Sequence, residues 1–338
     1  MKRNAQQLWF TGPQQVAVRA NEIALPAAGS VVVEVICSAI SAGTEMLVYR
    51  GQLPTDIALD ATIDSLQNPT YPLQYGYACV GTVVQLGEGV DESWLGQAVF
   101  AFQPHASHFV SAVENLIPVP DDIAAEDAVF LANMETAVNL LQDGKPIIGE
   151  RVLVLGQGIV GLLLSSLLVQ MPLEELLAAD TWKNRREIAE QLGVATFNPL
   201  SAEERHLQQQ RLSAVQGADL IYELTGVPDV LNLAVDFSGY HSRIVIGSWY
   251  GTKSAPVFLG GAAHRNRLQI TTSQVSSLSP ELSGRWTKAR RFDVTWNMIR
   301  RLRPSKFVSH RAALEEAPVV YQQLDQQPGS LVQALFVY

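Results

Sequence analysis

Cysteine is scarce. The chain has two in 338 residues, Cys37 and Cys79, both inside apolar runs that read as strands. Two such thiols make no disulfide framework, which points to a reducing, cytoplasmic setting. Positive charge is in the minority: 24 Lys and Arg against 33 Asp and Glu leave a formal net charge of −9. Nucleic acid, which needs a basic face, is therefore not an expected partner. Charged residues are only 17% of the chain and hydrophobic ones 47%, a balance that buries a core rather than staying disordered. No apolar segment follows the basic start MKRNAQQLWF, so no signal peptide is expected. The one long uncharged run, 152–170, reaches the length of a membrane span over its 19 residues. It also holds three glycines at motif spacing and ends at Met171-Pro172, so a buried strand followed by a buried helix explains it. No membrane partner is expected.

What the chain does have is a change of texture along its length. β-Branched runs at 15–20, 31–40, 78–87 and 97–102 read as strands. From about 122 the spacing becomes helical, and a helix over 124–143 is closed by Gly144 and Pro146. Strands (RVLVLG, LLAAD, ADLIYELTG, SRIVIG) then alternate with helices at 159–169, 183–192 and 229–237. That alternation implies an α/β fold with a doubly wound parallel sheet. After about 274 the pattern stops; a helix over 286–302 and a closing strand, LVQALFVY, follow. The expected division is residues 1–125 with 274–338 as one domain and 126–273 as the other. The length suffices for both.

The strongest chemical signal is RVLVLGQGIVGLLL. Gly156, Gly158 and Gly161 form G-x-G-x-x-G after an apolar strand and at the start of an apolar helix. Glycine is needed there for the tight turn, for backbone approach to a pyrophosphate and for helix–strand packing. The helix N-terminus supplies free N–H groups for the phosphates. The next strand ends in Asp180, 19 residues after Gly161, where a carboxylate can accept from ribose hydroxyls and repel a 2′-phosphate. Asp180 could also merely cap the helix starting near Lys183. NAD is the expected cofactor, with NADP possible because Lys183, Arg185 and Arg186 are close by. The expected cofactor-binding set is Gly156, Gly158, Ile159, Val160, Gly161, Asp180, Arg185, Thr225 and Gly247.

The runs VEVICSAISAGTE, YGYACVGTVVQLGEGV, the glycine loop, GADLIYELTG and RIVIGSWYG together resemble the medium-chain dehydrogenase/reductase superfamily of zinc-type alcohol dehydrogenases. The resemblance implies a GroES-like β-rich catalytic domain, a Rossmann domain, a small-molecule substrate and a homodimer. It also locates a loss. Ala42 stands where zinc-dependent members carry a Cys ligand, Tyr77 and Ala78 stand where they carry His-Glu, and LANMETA has no Cys for the third ligand. The lobe that would hold a structural zinc is missing too. Zinc needs three or four spaced Cys, His or carboxylate ligands, so no metal site is expected. The likeness is strongest to a zinc-free branch that includes the hydroxyethyl-bacteriochlorophyllide dehydrogenases.

Without a metal, the oxyanion of hydride chemistry needs a positioned donor. By the resemblance, Thr44 takes the place of a proton-relay hydroxyl, Tyr77 that of a lost ligand, and Glu45 that of the acid orienting it, within reach of Tyr77. Each has a plainer reading: a turn cap, a space filler, a partner for backbone N–H groups. His105 and His108, in QPHASHFV, are a poor chelate if they share a strand; His105 could face the substrate cleft. Glu135 is either near the nicotinamide end or a first-turn helix acid. Tyr49 and Arg50 read as structural as readily as catalytic. Residues 52–74 could form a lid or an ordered loop. The basic run at 285–306 puts Phe292, Trp296 and Ile299 on one helical face and its charges on a solvated one. The leading expectation is a zinc-independent NAD(H) oxidoreductase interconverting a secondary alcohol and a ketone on a fairly bulky substrate. The alternatives are an NADPH-dependent enoyl or quinone reductase, or a non-catalytic dinucleotide-binding protein.

Overall fold

A computed structural model describes residues 3–54 and 70–338. The stretch 52–74, read as a lid or loop, falls mostly outside the described residues. Two compact units emerge: Met1–Ala132 with Trp296–Tyr338, and Asn133–Thr295.

The chain begins with β1 (Arg3–Gly12), β2 (Gln15–Ile23) and β3 (Ser30–Ala39), then α1 (Ala42–Tyr49) and β4 (Cys79–Leu86). Short strands β5 (Ala98–Ala101), β6 (His108–Ala112) and β7 (Leu116–Pro118) and helix α2 (Ala125–Ala128) follow. Helix α3 (Leu131–Gly144) leads into β8 (Arg151–Leu155), α4 (Ile159–Leu168), β9 (Glu175–Ala179), α5 (Lys183–Gln191) and β10 (Ala195–Phe197). Next come α6 (Ala202–Ser213), β11 (Ala218–Glu223), α7 (Val230–Phe237), β12 (Ser238–Ile246) and β13 (Gln269–Thr272). The chain closes with α8 (Lys288–Leu302), β14 (Val308–Ala313), α9 (Ala317–Gln326) and β15 (Gln333–Val337).

In the first unit β1 and β2 pair as a hairpin, and a seven-stranded sheet runs β14-β15-β3-β4-β5-β7, with β6 also on β3. Strand β3 organises it. Val31, Val33 and Val35 turn to one face and pack with Cys79, Val83, Val99 and Phe109, as a period of two dictates. Gly81 lets β4 approach: a Cβ there would lie 2.3 Å from the Glu34 carbonyl oxygen.

The second unit holds six parallel strands in the order β10-β9-β8-β11-β12-β13. Counted along the chain this is 3-2-1-4-5-6, the doubly wound Rossmann order. The uncharged run at 152–170 becomes β8 and α4, both almost wholly buried. No helix among the described residues is long and apolar enough to cross a membrane.

One expectation is overturned here. The charges of the basic run do not all face solvent: Arg291 is fully buried. Its guanidinium donates to Glu135 at 2.8 Å, to Asn139 Oδ1 at 2.6 Å, and to the carbonyls of Ser277 and Val275. Glu135, itself buried, also accepts from Lys288 at 2.8 Å, so it is one member of a charge cluster rather than a first-turn acid. Helical spacing alone could not reveal this, because the partner carboxylate lies 156 residues away. Removing one partner of a buried pair strands the other, at a cost of about 3–5 kcal/mol. Arg291→Met should therefore lower the thermal midpoint sharply, and adding Glu135→Gln should recover part of the loss. An unchanged melting curve would refute the assignment.

Candidate active site and dinucleotide cradle

The cradle forms at the carboxyl edge of the parallel sheet in the second unit, where β8 turns into α4. Gly156 has φ +97°, and a Cβ on it would come within 2.8 Å of the Leu224 carbonyl group. A Cβ on Gly161 would lie 2.1 Å from the Gly156 oxygen. These two glycines are required by packing. Gly158 is different: its side is open, and the nearest atom to a Cβ there is Arg185 Nη1 at 3.9 Å. Helix α4 starts just after it, so the N–H groups of Ile159, Val160 and Gly161 have no acceptor within the helix. An open glycine over unpaired helical N–H groups suits an anionic phosphate.

Asp180 follows β9 and is 7% exposed. Its Oδ2 accepts from Gln157 N at 2.7 Å and its Oδ1 from Trp182 N at 2.8 Å. Each carboxylate oxygen keeps a further lone pair for a ribose hydroxyl. The carboxylate holds Trp182 N just ahead of α5, and its other oxygen ties down the glycine loop. Burial lowers the Arg185 pKa while nearby Asp180 opposes that shift. Thr225 donates through N (2.7 Å) and Oγ1 to buried Glu223 at the end of β11, whose other oxygen accepts from Tyr250 at 2.6 Å. Gly247 packs against Leu224, 2.5 Å from where its Cβ would stand.

In the first unit, the short α1 brings a group of hydroxyls together. Tyr77 OH is paired with Ser41 Oγ and lies 3.3 Å from Thr44 Oγ1. All three residues are half-buried. Ser41 was not anticipated from the sequence. The available signal was local: a serine just ahead of A-G-T-E at a helix start, with Glu45 Oε1 accepting from Ser41 N at 2.7 Å. Glu45 does not orient Tyr77 directly. Its second oxygen meets His105 Nε2 at 3.0 Å and accepts from Tyr321 OH.

His105 lies ahead of β6 and is fully buried, so it does not face a cleft. Its Nδ1 meets Ser38 Oγ at 2.7 Å, and Ser38 pairs with Tyr338 OH at 2.9 Å. Burial, with Glu45 nearby, raises the pKa of Tyr321 well above the usual phenol value, so it stays a neutral donor. His108, on β6, lies near Glu34 instead. Tyr49 stacks on Tyr321 with ring centroids 5.6 Å apart, and Arg50 pairs with Asp325 at 2.6 Å; both contacts are structural.

No protein-family model matches the chain. Among curated proteins it is similar to D-guloside 3-dehydrogenase of Escherichia coli K12, 24% identical over 262 residues covering 75% of each chain. It is also similar to 2-desacetyl-2-hydroxyethyl bacteriochlorophyllide A dehydrogenase of Cereibacter sphaeroides, 25% identical over 277 residues, 77% of this chain and 79% of that one. Its fold matches that of an alcohol dehydrogenase (rspB) from E. coli CFT073 solved with NADH: TM-score 0.79 and 20% identity over 99% of both chains. These relatives and structural neighbours are zinc-type alcohol dehydrogenase-like members of the medium-chain dehydrogenase/reductase superfamily. The fold follows theirs: the first unit is the GroES-like, β-rich one and the second is the Rossmann unit.

The two cysteines are both free thiols in the buried interior. Burial, with a smaller contribution from Glu126, pushes Cys37 up to about 12; burial, then Cys37 and Glu45, pushes Cys79 up as well. Reaction needs the thiolate. Ellman's reagent at about pH 8 should therefore detect neither thiol in the folded protein and both after unfolding. Rapid labelling of the native protein would contradict the assignment.

Proposed function

We propose that this protein is a zinc-independent, NAD(H)-dependent oxidoreductase that interconverts a secondary alcohol and a ketone on a fairly bulky substrate. The observation that carries the proposal is the half-exposed cluster of the Ser41, Thr44 and Tyr77 hydroxyls, in which the family resemblance puts Tyr77 at a metal-ligand position and Thr44 at that of a proton-relay hydroxyl. The donor chemistry at those positions does not fit tetrahedral zinc. Ala42 offers a methyl group, Tyr77 a phenol, and the nearby thiols are held protonated by burial. Among the described residues no group of three or more His, Cys, Asp or Glu is placed to hold an ion.

A bound nicotinamide would supply hydride chemistry. The protein's own residues handle the oxygen and its proton. Tyr77 OH donates to the substrate oxygen as negative charge builds on it, the role of an oxyanion donor. Ser41 and Thr44, on either side of the phenol, orient it and can share its proton. Asp180 supports NAD, since its carboxylate would repel a 2′-phosphate. The relatives' names support alcohol oxidation, and the likeness to a bacteriochlorophyllide dehydrogenase supports a large substrate. Arg185 beside Gly158 favours a second reading, an NADPH-dependent enoyl or quinone reductase. The reduced-looking thiols suit a cytoplasmic protein.

We also propose a homodimer joined edge to edge through β13. That strand ends the sheet, and all four of its residues are exposed, Ile270 among them. An open edge of this kind pairs readily unless blocked by charge. Sedimentation should find a dimer that Ile270→Lys weakens; a monomeric parent protein would end this proposal.

The function is tested on chelator-treated protein titrated with NADH and NADPH, then screened with secondary alcohols, ketones and enones. NADH should bind more tightly than NADPH, and Asp180→Asn should weaken NADH by at least about ten-fold, the worth of a charged hydrogen bond. Tyr77→Phe should lower alcohol turnover by about 100-fold. Tighter NADPH binding with enone reduction would favour the second reading. Binding without any turnover would leave a dinucleotide-binding protein that is not an enzyme.

A further inference from the structure

Beneath the three hydroxyls lies a closed line of polar groups in the same unit: Tyr338, Ser38, His105, Glu45 and Tyr321. Serine, imidazole and carboxylate in sequence have the makings of a hydrolytic triad. Ser38, His105 and Glu45 are all 0% exposed, however, so no substrate reaches the serine. A different role follows from what His105 touches.

We propose that His105 is a positioning residue that sets the Ser41–Tyr77 hydroxyl pair from beneath. The proposal rests on the reading of that pair as the group that meets the substrate oxygen. Two contacts carry it, one to each member. Through Nε2, His105 holds Glu45 at 3.0 Å, and the other Glu45 oxygen holds Ser41 N at 2.7 Å. Through its ring face and edge, His105 closes on Gly76: a Cβ there would lie 2.9 Å from His105 Cδ2 and 3.0 Å from Nε2. Gly76 has φ +126° and immediately precedes Tyr77, so only glycine admits both the backbone shape and the ring. One imidazole thus fixes the backbone at Ser41 and at Gly76, and with it the distance between the paired hydroxyls.

The network also selects the tautomer. A carboxylate only accepts, so His105 carries its proton on Nε2, toward Glu45. In the neutral ring Nδ1 then accepts from Ser38 Oγ, which in turn accepts from the Tyr338 phenol. Phe336, with its ring centroid 5.1 Å from the imidazole and an interplanar angle of 84°, closes the remaining side. The ring is held on every side by fixed partners, as a positioning residue must be.

The test uses the full-length protein with 3-fluorotyrosine at position 77, whose fluorine resonance reports the phenol's surroundings without a substrate. His105→Gln should shift that resonance and leave NADH affinity unchanged. On an alcohol that the parent protein oxidises, it should lower kcat by about 100-fold, the effect of a small misplacement, with little change in KM. In a Tyr77→Phe background the same substitution should add nothing, because the group it positions is gone. An unmoved resonance, or an equal loss in both backgrounds, would overturn the proposal. Should His105→Gln fail to fold, Ser38→Ala removes the hydroxyl shared by His105 Nδ1 and Tyr338 and carries the same readouts. A shifted resonance combined with parental turnover by Tyr77→Phe would uphold the positioning link while refuting the catalytic reading of the pair.

Discussion

A carboxylate with no exposed surface must be supplied with donors, and Glu45 draws its donors from three separate parts of the chain. Ser41 N comes from the entry to its own helix, His105 from the segment before β6, and Tyr321 from α9, 276 residues away. Leaving such a group short of a donor costs on the order of 1–3 kcal/mol or more. The helix start, the loop and the returning C-terminal segment are therefore held to one another by a single charge. The half-exposed hydroxyls sit on top of this anchor, and their geometry is inherited from it.

The second unit repeats the device at the edge of its sheet. Asp180 follows β9 and Glu223 ends β11, on either side of β8 in the parallel sheet, and each spends its oxygens on loop donors: Gln157 and Trp182 for the first, Thr225 and Tyr250 for the second. The loops that should meet a dinucleotide are thus tied by acids at strand ends, while glycines at 156 and 161 let the backbones close together. Farther from that edge, the Glu135–Arg291 cluster does comparable work between α3 and the start of α8. In each case an ionised group is buried only where the chain brings enough hydrogen-bonding partners to it.

The Rossmann unit was readable because its signals are local. An apolar strand, three glycines, an apolar helix and an acid at the next strand end fall within about 30 consecutive residues, and each has its own physical requirement. Ala42 and Tyr77, at positions where the resemblance puts zinc ligands, were visible for the same reason, as single positions within short runs. Strands β13 and β14 were harder. QITT is exposed throughout and VSHRAA mixes charge with alanine, so neither shows the apolar period that marks a strand. Arg291 was misread because helical periodicity sorts residues by face and says nothing of a carboxylate waiting on another helix.

The sequence by itself determined the fold class, the glycine loop after β8 and the acid after β9, all of which depend on neighbours a few residues apart. Only the tertiary structure decided which hydroxyl partners Tyr77, that His105 faces inward, and that Glu45 serves Ser41, His105 and Tyr321 rather than Tyr77. Apart from Ser41 N, which is local to Glu45, those outcomes depend on contacts across 36 to 276 residues. At such distances no local pattern says which donor reaches a buried acceptor first; the closing of the sheet around it does.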